Sequence, residues 1–75
     1  MDIESLTEIY VAAYEKALEM TGNTDFSVQT AYSILSVIMQ NSRAMNDKSA
    51  KNVATLVANV LAINKRNAKQ DGESK

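Results

Sequence analysis

The sequence predicts an all-α protein: a small three-helix bundle, or a helical hairpin with a third helix laid against it, with dimerisation as a further way of completing the core. Three observations carry this. Proline is absent and glycine occurs only at Gly22 and Gly72, so long stretches are free of helix breakers. Alanine, leucine, glutamate, lysine, methionine and glutamine are plentiful, and all favour helix. Apolar residues recur at helical spacing in three segments, and no segment joins period-two alternation to turn chemistry.

The first helix is expected from about Asp2 or Ser5 to Met20. Ser5-Leu6-Thr7-Glu8 has the form of a capping box, in which a hydroxyl and a carboxylate satisfy two orphan backbone N–H groups, and Asp2 is an alternative cap. Thr21-Gly22 supplies the stop, because glycine enters the left-handed conformation at little cost. Ile3, Leu6, Ile9, Tyr10, Ala13, Tyr14, Ala17 and Leu18 make one apolar stripe. Glu4, Glu8, Glu15 and Glu19 make an acidic stripe well away from it.

The second helix is expected to start after Thr24 or Asp25 and to run to about Arg43 or Met45. It carries no charge from Ser27 to Ser42. Val28, Ala31, Tyr32, Ile34, Leu35, Ile38 and Met39, with Val37 beyond them, spread over more arc than one core stripe needs. A helix this apolar is buried on more than one side, as a central helix or as one that also meets a second chain. Met39 and Met45 would suit core filling or an adaptable surface. Asn46-Asp47-Lys48-Ser49 is rich in cap residues and marks the next break.

The third helix is expected from about Ser49 to Asn67 or Lys69, with Val53, Leu56, Val57, Val60, Leu61 and Ile63 as its apolar stripe. Lys48, Lys51, Lys65, Arg66 and Lys69 fall on the opposite side. Residues 1–69 then form a single domain and 70–75 a frayed tail.

Size and content narrow the function classes. A chain of 75 residues buries only about 60% of its unfolded surface, and such a core supplies only about 3–5 kcal/mol, so a partner chain is a reasonable expectation. There is no cysteine and no histidine, which excludes disulfides, thiol nucleophiles, histidine bases and Cys/His zinc sites. No glycine-rich phosphate loop or dinucleotide fingerprint occurs. A pocket of roughly 300 Å³ is hard to enclose at this length. The expectation is therefore a protein without catalytic activity, metal, cofactor or small-molecule substrate. No run reaches about 18 apolar residues, and the acidic start Met1-Asp2-Ile3-Glu4 lacks the apolar core of a signal peptide. A cytoplasmic protein with no membrane partner is expected.

The net charge of −1 hides a segregation. Residues 1–40 hold Asp2, Glu4, Glu8, Glu15, Glu19 and Asp25 against Lys16 alone, a net of −5. Residues 41–70 hold Arg43, Lys48, Lys51, Lys65, Arg66 and Lys69 against Asp47 alone, a net of +5. Two functional readings follow. In the first, the chain is a small interaction or regulatory protein, homodimeric and binding another protein. Its interface comprises Tyr32, Leu35 and Met39 on the second helix and Ala54, Ala58 and Ala62 on the third. With Ala50 these alanines recur every four residues, a smooth ridge that lets two helices approach closely, unless alanine simply fills a surface with a good helix former. If the ridge packs on a second subunit, the basic ends of the third helix would straddle that subunit's acidic first helix. In the second reading, Lys48, Lys51, Asn52, Thr55 and Asn59 contact nucleic-acid phosphates and base edges. The balanced total charge, the lack of a tight glycine turn and the clustering of bases at two helix ends about 20 Å apart place this reading behind the first.

Overall fold

Asp2, Asn23 and Asn46 each stand just before a helix, and each side chain accepts a hydrogen bond from the backbone N–H three residues on. The partners are Ser5 at 2.8 Å, Phe26 at 2.9 Å and Ser49 at 2.8 Å. This is the N-cap geometry that satisfies an orphan donor of the first turn. The helices that follow are α1 (Ile3–Thr21), α2 (Thr24–Gln40) and α3 (Asp47–Ser74). The computed structural model describes the backbone of residues 2–74 and the side chains of residues 2–68. Among the described residues there is no strand.

Of the two caps considered for α1, Asp2 is the one used. Ser5 lies inside the first turn, where its hydroxyl donates to Asp47 Oδ2 at 2.6 Å. That bond ties the start of α1 to the start of α3. At the other end of the molecule Lys65 Nζ lies 5.0 Å from the centre of the Phe26 ring, at the start of α2. The chain therefore runs up, down and up. Gly22 closes α1 with φ 64°, and its N–H donates to the Leu18 carbonyl at 2.8 Å. α2 ends before Arg43, because Asn41 turns back on the helix: its side-chain amide donates to the Val37 carbonyl at 2.8 Å. α3 runs on through Gly72 to Ser74, past the end expected near Lys69. The side chains of the expected tail, 70–75, lie outside the described residues.

α1 packs closely on both other helices, and the contact between α2 and α3 is the thinnest of the three. The buried apolar residues are Ile9, Ala13 and Ala17 from α1, Ala31, Ile34 and Ile38 from α2, and Ala50, Ala54, Ala58 and Ala62 from α3. Seven of these ten are alanine, so this is a core of closely approaching backbones rather than of large side chains. On α2 the buried set also includes Ser27 and Thr30, and Ser27 Oγ satisfies itself by donating to the Asn23 carbonyl at 2.7 Å. Among the described residues no buried side-chain nitrogen or oxygen lacks a partner.

The face that α3 turns inward corrects the sequence expectation. The alanine ridge is wholly buried, whereas Leu56 is 63% exposed, Val60 48% and Ile63 40%. Val57 and Leu61 are exposed too, and Val53 is half-buried. The cause is volume matching. Ala13 of α1 lies in one buried cluster with Ala50, Ala54 and Ala58 of α3. Alanine against alanine brings axes to the short end of the roughly 8–10 Å range and fills the space between them. A valine and leucine stripe in that position would hold α3 off and leave unfilled volume over Ala13.

Two outcomes are expected. Ala58→Leu should destabilise the fold by about 1–3 kcal/mol through overpacking, while Leu56→Ala should stay within about 0.5 kcal/mol of the parent, both read from urea denaturation of dilute protein. The Asp2 carboxylate is held below its ordinary value of 3.8, chiefly by the bond it accepts from the Ser5 backbone N–H. Its contribution to stability is therefore present above pH 3.8 and is lost as pH falls through the lowered midpoint. A carboxyl ¹³C titration should place that midpoint below 3.8; a midpoint at or above it would contradict the cap.

Candidate interaction surface

Among the described residues a cleft lies along each helix pair, and these clefts differ in chemistry. Between α2 and α3 runs a groove of about 160 Å³ lined by Ser33, Ile34, Val37, Ile38, Val53, Val57 and Leu61, and its exposed wall is entirely apolar. Between α1 and α2 lies an aromatic cleft of Ile3, Leu6, Thr7, Tyr10, Tyr32 and Leu35. Between α1 and α3, Glu8, Glu15 and Lys51 surround Thr7, Val11 and Ala12.

The α2–α3 groove exists because α3 packs by its alanines. With that ridge turned toward α1, the adjoining aliphatic stripe is carried round to the flank facing α2 and solvent. There it meets Ser33 and Val37, on the flank of α2 away from Tyr32. Because the α2–α3 contact is thin, the two rows stand apart and leave the groove open. No charged residue occurs from Phe26 to Ser42 or from Asn52 to Asn64, so neither row carries a charge. The acids Glu4, Glu8, Glu15 and Glu19 are exposed on the side of α1 away from its buried face, hence away from the groove.

The residues singled out in sequence separate into distinct places. Leu35 is half-buried and packs on the core, and Tyr32 lines the aromatic cleft with it. Tyr32 and Met39 are exposed. Tyr10 meets Tyr32 edge-on at 5.2 Å and stacks on Tyr14 at 6.2 Å, so one ring joins the core to the surface. Ala54, Ala58 and Ala62 are fully buried inside the chain. They are not available to a second subunit, and the arrangement in which that ridge and its basic ends straddle a neighbour's α1 is not open to this fold. In their place the structure exposes Val37, Val57 and Leu61, which sequence reasoning had set outside the main arc of α2 or inside the core. The signal was present: α3 carries both an alanine ridge and an aliphatic stripe, and both cannot face the same two helices.

Lys48, Lys51, Asn52, Thr55 and Asn59 do share one side of α3. Thr55 and Asn59 are half-buried, and Thr55 Oγ1 donates to the Lys51 carbonyl at 3.1 Å. Lys51 shares its cleft with Glu8 and Glu15, and carboxylates beside the central base oppose a phosphate. Among the described residues no three acidic, histidine or cysteine side chains come together to hold a metal ion. Among the described residues no helix is long and apolar enough to cross a membrane. Comparison with family models, with curated proteins and with solved structures finds no match.

Proposed function

We propose that this chain is a non-enzymatic interaction protein that works by lending the α2–α3 aliphatic face to another polypeptide. One observation carries the reading: the large aliphatic side chains of α3 stand outside and its alanines inside, leaving an uncharged apolar groove unpartnered in the single chain. A contiguous apolar patch of this kind on a small protein marks a site of association.

The magnitudes are consistent with association. Covering the exposed groove residues Val37, Val57 and Leu61 contributes roughly 1 kcal/mol per side chain, and the partner's own apolar surface contributes similarly. Association costs about 4–15 kcal/mol in lost freedom. The balance favours binding where the partner surface is also apolar and well fitted. A polar or strongly charged partner would lose hydration over the groove without recovering a hydrogen bond or an ion pair.

The test is photo-crosslinking from a benzophenone side chain placed at Val57, with the same group at Val11 on the acidic face as the control. Covalent adducts to protein are expected from position 57 and not from position 11. Absence of adducts from position 57, or stronger capture from position 11, would overturn the reading.

A further inference from the structure

The geometry points to Tyr10 and Tyr32 as a site of oxidative cross-linking, where a one-electron oxidant of the haem-peroxidase class joins the two rings and fastens α1 to α2. Three observations carry it, and none involves the α2–α3 groove.

The first is where an oxidising equivalent settles. The chain has three tyrosines and no cysteine, tryptophan or histidine. Its phenols are then the side chains most readily oxidised by one electron. Methionine reacts instead by taking up an oxygen atom. All three tyrosines lie in one cluster. Tyr10 stands in the middle, with its ring centre 6.2 Å from that of Tyr14 and 5.2 Å from that of Tyr32. A radical formed on one ring is therefore in reach of the next.

The second is access. Tyr32 is 62% exposed, and it lines the open α1–α2 cleft together with Tyr10. An oxidant too large to enter the fold can take an electron at the Tyr32 rim. Water in the cleft can take the phenolic protons of both rings. Tyr14 packs on the core and does not line that cleft.

The third is orientation. A bond between ortho carbons lies in the planes of both rings and leaves them free to twist about it. The crossed Tyr10–Tyr32 pair, with 66° between its planes, reaches that arrangement by a swing of the exposed ring. An exposed side chain changes rotamer within nanoseconds. The Tyr10 and Tyr14 rings lie parallel, with 9° between their planes, on adjacent turns of one helix, and both are half-buried. Neither is free to swing into the plane of the other. The link is thus directed between helices rather than along α1.

The chemistry closes. Each phenol gives up one electron and its hydroxyl proton, leaving a phenoxyl radical whose unpaired electron is shared with its ortho carbons. The two radicals pair to form one carbon–carbon bond. Each joined carbon then releases its ring hydrogen as a proton, and the oxygen of the same ring regains one. Hydrogen peroxide takes the two electrons and two protons that leave, and its O–O bond breaks to give two water molecules. Because α2 meets α3 only thinly, the new bond reinforces the contact by which α2 is held.

The test treats the intact chain with a haem peroxidase and hydrogen peroxide, then reads dityrosine fluorescence and the masses of the chain and of its linked peptides. The expected product is a single chain lighter by two hydrogens, linked between residues 10 and 32, in a yield unchanged by dilution. Tyr10→Phe and Tyr32→Phe should each abolish it with helical circular dichroism retained, since phenylalanine keeps the ring and removes only the phenol. Tyr14→Phe should leave it. The linked chain should unfold at a higher urea concentration than the unlinked one, because the bond restricts the unfolded chain. Products joined only between chains, a link at Tyr14, an equal yield from the urea-unfolded chain, no loss of hydrogens, or an unchanged urea midpoint would each overturn the proposal.

Discussion

Everything distinctive about this molecule depends on the close packing of the α3 alanines against α1. A methyl group contributes little burial on its own, about 0.8 kcal/mol. What Ala50, Ala54, Ala58 and Ala62 provide is proximity: they let two backbones approach until dispersion contacts run along the whole shared length. Ile9, Ile34 and Ile38 are the only large aliphatic side chains in the buried core among the described residues. The remaining ones follow by displacement. Once a face of α3 is committed to α1, the adjoining valines and leucines must sit where α2 does not reach, and the groove is the consequence.

The same commitment sorts the charges. α1 buries Ile9, Ala13 and Ala17, so its glutamates can lie only on the outer side. α2, holding no charge through its length after Asp25, passes between an aromatic cleft on one flank and the aliphatic groove on the other. The near-zero net charge thus comes from two separated sets, acids on the outer face of α1 and bases at the ends of α3, with a neutral surface opposite α1. That neutral apolar surface is the one the proposed interaction uses.

Much of the fold was legible in the sequence. Helix number follows from breakers and caps that act locally, among them Gly22 in the left-handed conformation and the polar run before α3; the ends were less legible, since Asp2 rather than Ser5 caps α1, Asn23 caps α2, α2 stops at Gln40 rather than Arg43 or Met45, and α3 runs to Ser74 rather than Asn67 or Lys69. Which face of α1 is buried was also legible, since its acids leave one choice. The inward face of α3 was not. Periodicity weighs Val57 and Leu61 above Ala54 and Ala58 because it scores apolarity, whereas packing is decided by the volume of what lies opposite, here Ala13. That information belongs to a pair of helices and cannot be read from one. The buried Ser27 was missed for a related reason: its hydroxyl bonds back to the Asn23 carbonyl and is no longer a polar group seeking water.

The most direct measurement is the set of nuclear Overhauser contacts made by the methyl groups of α3. If α3 packs by its alanines, the Ala54 and Ala58 methyls show cross-peaks to Ile9 and Ala13 of α1, and the Leu56 and Val60 methyls show none to them. Cross-peaks from Val57, Val60 and Leu61 to Ile9 and Ala13, with the alanine methyls silent, would mean that α3 is turned the other way, and the groove and the neutral face would go with it.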